Sequence, residues 1–402
     1  MTSTATRAPA QGHGLLARLA AATAVGSTGL AAGGTAGALL ATDLAGPAAA
    51  GLPLGLLVLG SAAGAVLMSW LAARGHRRRG LVLGYTLGVA GAALVVLAAV
   101  ARSLPLVLVG SVALGTANSA VFLTRYAAAA ATTAANRGRA LGTVFFATAI
   151  GAVASPLLLG PSEAVARHLG LPRFSGLYLV AVLVFGAAAL VLATGARSSR
   201  GGPVGQGSGR AALRAVLSRG RGRVAVLMLA GTNLVMTGVM TIAPVHLVAH
   251  GQGLDLLGTI VALHVLGMFA PSPVSGRLAD RFGPLPVILA GAVLLLAACL
   301  LGLFAAGHGT VAMVGHLLVL GVGWNFGIVG ASTLLAGAAP EPLRPYAEGI
   351  GEMSMGLAAA VAGPAAGLAA DLGGYWALSL GGAVAAVCLL AVYWSSNGRT
   401  SS

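Results

Sequence analysis

Gly276-Arg277-Leu278-Ala279-Asp280-Arg281-Phe282-Gly283 is a short charged hairpin wedged between two long apolar runs. A worn copy stands 207 positions earlier, at Ser69-Trp70-Leu71-Ala72-Ala73-Arg74-Gly75-His76. One charged hairpin between apolar runs could be accidental. Two at matching places in each half indicate a chain that has been duplicated, and the runs around them indicate a membrane protein.

The composition agrees. Of 402 residues, 57% are hydrophobic and 8% charged, against about 25% charged in soluble domains. A surface made from so few charges must largely face lipid. The 62 glycines fit the same setting, because small residues let helices approach closely where no hydrophobic force drives them together. Gly60/Gly64 and Gly84/Gly88 have that spacing; codon bias is the competing explanation for any one pair. All 23 basic residues are Arg. A phosphate-cradling loop needs a Lys after its glycines, so the Gly-rich stretch 201–209 reads as linker, and Schiff-base chemistry is excluded with it. No cofactor is implied. Cys299 and Cys388 each sit inside an apolar run, and the His residues lack metal-ligand spacing, so no metal site is expected.

A membrane-crossing helix needs about 20 mostly apolar residues. Twelve runs qualify: 17–40, 51–73, 80–101, 105–128, 140–161 and 175–194, then 223–249, 256–278, 285–305, 310–336, 346–370 and 375–395. The first is too long for a signal-peptide core and reads as a retained span. With both termini placed in the cytoplasm, 20 Arg fall inside and three, Arg102, Arg167 and Arg173, outside. That asymmetry is the positive-inside signature of a bacterial plasma-membrane protein. The net charge of +15 is therefore a topology signal and not a nucleic-acid footprint. The expected organisation is an all-α membrane fold: a six-helix bundle at 1–194, an Arg/Gly-rich cytoplasmic linker at 195–222 and a second six-helix bundle at 223–402. The Arg-rich end of the linker is either a solvated connection or a segment lying on the anionic inner leaflet.

A shift of 207 also aligns Gly60 with Gly267, Asn118 with Asn325, Arg137 with Arg344 and Gly142 with Gly349, and a shift of 208 aligns Pro156 with Pro364. With these matches the hairpin resembles the loop signature G-x-L-A-D-R-x-G-R-R of the major facilitator superfamily. The second copy keeps Gly276, Asp280, Arg281 and Gly283. The first keeps Arg74 but has Ala73 in place of Asp. The resemblance implies two pseudo-symmetric six-helix bundles around a central cavity, working by alternating access as a monomer. A weaker likeness, Gly151 to Gly160 with Pro156, is to the span-five signature of that family's exporters, and Gly363-Pro364 echoes it in span eleven. It implies drug–proton antiport. The Arg that the resemblance implies near Val109 is absent, which puts that proton relay in doubt.

Polar groups at membrane depth are costly and therefore functional candidates. Glu352, about two turns into span eleven, is a carboxylate well inside an apolar run and suits reversible proton binding; a structural ion pair is its other reading. His264 in span eight is a candidate relay or a neutral hydrogen-bonded histidine. Asn118 and Asn325, with Asn233 and Trp324 as weaker candidates, are expected at the substrate cavity or in helix–helix hydrogen bonds. Arg125 ends span four, where the resemblance implies proximity to a loop Asp that its own half lacks. Asp280 is expected to cap span nine or pair with Arg277 or Arg281, latching the gate formed by the loop with Arg74, Arg281, Gly276 and Gly283.

The reading is a proton-coupled secondary transporter exporting a small, largely apolar metabolite or drug. The rival is an importer of a small nutrient or organic anion. A membrane sensor or a membrane enzyme lacks, respectively, the soluble domain and the nucleophile–base or metal constellation it would need.

Overall fold

The computed structural model describes residues 8–30, 32–46, 49, 52–194, 208–249, 254–305 and 309–397. Span one is α1 (Ala8–Ser27), a π-helical turn (Ala32–Ala36) and α2 (Gly37–Ala45). Spans two to four are α3 (Leu52–Ala73), α4 (Arg77–Val100) and α5 (Leu104–Ala130). Span five is α6 (Arg137–Leu157), followed by α7 (Leu159–His168), and span six is α8 (Gly176–Ala193). A short helix, α9 (Gly209–Ser218), lies inside the expected linker. Span seven is α10 (Gly220–Ala249), span eight α11 (Leu254–Phe269) with α12 (Ser272–Phe282), span nine α13 (Pro284–Ala305) and span ten α14 (Thr310–Ala338).

The remaining helix, α15 (Arg344–Asn397), runs 54 residues with non-helical backbone at Gly373 and Gly374. At 1.5 Å per residue it would be about 80 Å long, against a hydrocarbon core of about 30 Å. It is therefore spans eleven and twelve joined almost without a loop. Gly374 has φ +64°, a left-handed backbone that glycine adopts freely. Ten described helical stretches are long and apolar enough to cross a membrane; dividing α15 and adding span one gives the twelve read from sequence.

Two details differ from expectation. Span eight is broken rather than continuous over 256–278, because Pro271 has no N–H for residue 267 and its ring crowds that turn. The charged hairpin at 276–283 is mostly helical: it forms the last turns of α12, and the reversal itself is Gly283, with φ +84°.

Each half carries its own buried core, one around Tyr85, Leu114, Tyr126, Tyr178 and Phe185, the other around Leu229, Leu295, Leu320, Trp324 and Leu335. Side chains on the outer faces are apolar as well, among them Leu97, Leu183, Leu190, Leu300 and Phe304, as a lipid-facing surface requires. Within the first half, α3 and α5 touch backbone to backbone. A Cβ on Gly60 would stand 1.9 Å from the Val112 carbonyl oxygen, and one on Gly115 2.2 Å from that of Leu57. The small-residue reading of Gly60 and Gly64 is thereby met, since a Cβ on Gly64 would stand 2.9 Å from Thr116 Cα.

Candidate functional site

The two bundles meet at the end that carries the Arg-rich loops. The outermost contact is made by Asp280. Its carboxylate oxygens accept from the backbone N–H groups of Gly138 (2.6 Å) and Arg139 (2.7 Å), in the first turn of α6. Asp280 therefore neither caps span nine nor pairs with Arg277 or Arg281. It reaches across the interface and caps a helix of the opposite bundle, where unpaired N–H groups and the positive end of the helix dipole favour an anion. The close approach that this needs explains Gly276. A Cβ there would stand 2.3 Å from the Gly138 carbonyl oxygen, and a Cβ on Gly142 2.2 Å from that of Ser272. Arg281 and Arg74 stay on their own helices, over the rings of Phe282 and Trp70.

The pseudo-symmetric contact is different. The 207-residue shift takes Gly138 to Pro345, which has no N–H, and Asp280 to Ala73. On that side α4 and α15 are joined by an ion pair instead, Arg77 Nη1 donating to Glu348 Oε2 at 2.6 Å.

One layer deeper lies Arg125, 1% exposed. Its guanidinium donates to the carbonyl of Phe122, to Tyr126 Oη and, across the interface, to Ser332 Oγ and Glu352 Oε1. Ser332 is the residue that the 207-residue shift pairs with Arg125, so the two equivalent positions touch each other at the middle of the molecule. The Arg125 guanidinium also sits over the rings of Tyr126 and Phe145. Five donors in a planar fork are what this many partners demand. Glu352, only 8% exposed, has Arg125 as its countercharge. A pair desolvated this far is held by mutual compensation: removing one partner leaves a buried charge and costs about 3–5 kcal/mol.

The innermost layer is aromatic. Phe145 of α6 packs against Phe269 and edge-on to Trp324 of the second half. Trp324 Nε1 donates to Asn233 Oδ1, and Asn233 Nδ2 to the Met355 carbonyl. The two weaker cavity candidates thus bond each other and fasten α10 to α14 and α15.

The other predicted residues are scattered. Asn325 is fully buried. Both its amide hydrogens are used, on the Met268 carbonyl and Ser272 Oγ, and its Oδ1 accepts from Ser275. It ties span ten to span eight and has no donor left for a substrate from across a cavity. Asn118 is part-exposed and donates to Ser61 Oγ inside the first bundle. His264 is tied by Nδ1 to the Leu317 carbonyl, and its Nε2 has no hydrogen-bond partner among the described residues. Gly151 packs against span one, where a Cβ would strike the Ala24 carbonyl and Ser27 Oγ, and Ser155 Oγ donates to the Thr28 carbonyl. The side chain of Pro156 is outside the described atoms. Around Gly363, beside Pro364, there is open space, so the span-eleven echo makes no such contact.

Sequence reasoning missed that Arg125 and Glu352 are partners. The shift that aligned Arg125 with Ser332 held the clue, because two residues related by a twofold can meet only near its axis.

The sequence profile of the Major Facilitator Superfamily matches residues 19–258 and 248–401. The chain belongs to that superfamily. Among relatives of this major facilitator protein, the uncharacterized MFS-type transporter YddS of Bacillus subtilis (strain 168) is 32% identical over 380 residues, 91% of this chain and 87% of that one. The riboflavin transporter RfnT of Brucella anthropi is 30% identical over 327 residues, 80% of this chain and 79% of that one. The crystal structure of a variant of the E. coli fucose:proton symporter FucP superposes with a TM-score of 0.76 at 18% identity, covering 96% of this chain and 97% of that one. At that identity the likeness is one of major facilitator fold.

Proposed function

We propose that this superfamily transporter is proton-coupled and exports a small, largely apolar metabolite or drug across the plasma membrane, with Glu352 carrying the proton. The observation behind the reading is the Arg125–Glu352 ion pair, which crosses between the bundles at the Arg-rich end. The Arg-rich loops mark that end as cytoplasmic, so its closure leaves the outside as the accessible face. A proton taken up by Glu352 from outside neutralises it. Arg125 stays with its own bundle, held by the Phe122 carbonyl and Tyr126, and Glu352 is free to leave with α15. The cytoplasmic end then opens, the proton is released, and substrate takes its place. Exchange of proton for substrate in this order is antiport.

A second reading is uptake of a small nutrient, with substrate and proton moving together through the same pair; the 30% identity to a riboflavin transporter supports a planar heterocycle as substrate in either direction. Purified protein in proteoliposomes with an imposed pH gradient separates the cases, with riboflavin among the compounds offered. Accumulation on the acidic side is the expected sign of export; accumulation on the alkaline side is uptake. Glu352→Gln should equilibrate substrate but not concentrate it. Uphill movement by Glu352→Gln at the wild-type level removes the proton role.

A further inference from the structure

We infer that α9 is an interfacial anchor whose outer face binds anionic phospholipid headgroups of the leaflet at the Arg-rich end. Residues 208–223 form a built structure and not a loose connection. Ser208 caps the helix, its Oγ accepting from the Ala211 N–H at 3.2 Å. Ala212 and Val216 are buried, Val216 within the core of the second bundle. Gly222 allows the tight turn into α10, since a Cβ there would stand 2.6 Å from the Val216 carbonyl oxygen. Arg219 donates to the Ala338 carbonyl at 3.1 Å, fixing the helix to the end of α14.

The remaining faces are ordered around the axis. At about 100° per residue, Leu213 and Leu217 lie about 100° from the buried pair, and Arg210 and Arg214 about 60° further on. Leu213 and Leu217 are 42% and 44% exposed, and Arg210, Arg214, Arg221 and Arg223 are exposed as well. From 164 to 254 the chain has no acidic residue, so no carboxylate nearby in sequence answers these charges. Apolar side chains flanked by arginines, on a helix fixed beside the membrane-entering turns of α10 and α14, match the boundary between acyl chains and headgroups. The charge selects anionic over zwitterionic lipid.

Each Arg near an anionic surface favours it about fivefold, so Arg210, Arg214 and Arg221 together favour anionic over zwitterionic lipid beside α9 on the order of 100-fold. The test uses the full chain with Cys299 and Cys388 replaced by Ser, Leu217→Cys labelled with an environment-sensitive fluorophore, and reconstitution in phosphatidylcholine vesicles with or without phosphatidylglycerol. The expected result is a blue-shifted, bromolipid-quenched label with phosphatidylglycerol, reversed by high salt and by Arg210→Gln/Arg214→Gln/Arg221→Gln. Identical emission in both lipids, or no effect of the three substitutions, overturns the inference. A signal that depends on protein density in the vesicle and not on lipid charge assigns the face to a second copy of the chain and overturns it too.

Discussion

Asp280→Ala should open the Arg-rich end. The substitution removes two N–H···carboxylate bonds of 2.6 and 2.7 Å to Gly138 and Arg139. Hydrogen bonds to a charged group contribute about 1.5–3 kcal/mol each when buried, and loss of a helix N-cap costs about 1 kcal/mol. This contact is partly exposed, which places the pair together near about 1.5–2 kcal/mol. The bonds exist only while the bundles touch, so that energy acts directly on the closed–open equilibrium and shifts it about 10- to 30-fold. Asp280→Asn keeps one carbonyl oxygen and turns an amide toward the second N–H, so about half the effect is expected. Spin labels at Thr133→Cys and Phe282→Cys, both exposed, in a background without Cys299 and Cys388, report the separation by pulsed dipolar spectroscopy. The alanine variant should gain a long-distance population and the asparagine variant an intermediate one. Unchanged distance distributions and unchanged transport in Asp280→Ala would refute the cross-bundle cap.

Further expectations follow from the same contacts. Ala73→Asp should be nearly silent in transport and in thermal melting, because Pro345 offers no N–H and Tyr346 at most one where Gly138 and Arg139 offer two. Gly276→Ala should impair transport more than its size implies, since its Cβ would stand 2.3 Å from backbone and α12 would have to back away from α6; the same spin-label pair reads the displacement. Gly60→Ala should lower the melting temperature of the detergent-solubilised protein by several degrees, whereas Gly55→Ala, with nothing within 4 Å, should leave it unchanged or raise it slightly, as a compatible Gly→Ala change adds roughly 0.4–1 kcal/mol of stability. Arg125→Lys should abolish active transport despite keeping the charge, because one ammonium cannot reach Phe122, Tyr126, Ser332 and Glu352 together; substrate accumulation at the wild-type level in this variant would remove the need for the fork.

Much of the fold was legible because membrane chemistry leaves few options. Apolar length gives spans, and the 207-residue shift gives the two bundles. Gly276 and Asp280 were legible as a unit because charge and small residues stand out against apolar runs. What was not legible lies across the interface. A sequence shows Asp280 beside Arg277 and Arg281, and nearest neighbours look like partners. Its bonds go to backbone groups 142 and 141 positions away, and backbone leaves no signature in composition. The asparagines misled for a related reason. An amide at membrane depth signals only that a partner is needed, and for Asn325 and Asn233 the partners are neighbouring helices of the same bundle. Glu352 showed the same double meaning: the ion pair was read as an alternative to proton binding, whereas one residue can hold the pair and take the proton in turn.

The near-loopless junction at Gly373 and Gly374 makes span eleven a lever. Its end away from the Arg-rich loops is pinned, because Tyr375 donates through Oη to His316 Nε2 at 2.8 Å and its ring packs against His246. From Gly373 to Glu352 is 21 residues, an arm of about 32 Å, so a tilt of about 9° carries Glu352 some 5 Å away from Arg125, enough to part the pair. Pro364 sits on that arm with its helix hydrogen bond missing, and the open space at Gly363 lets it flex. Pivoting there instead shortens the arm to about 18 Å and raises the tilt for the same displacement to about 16°. Small angular motion at the pinned end is thus multiplied into separation at the opposite face.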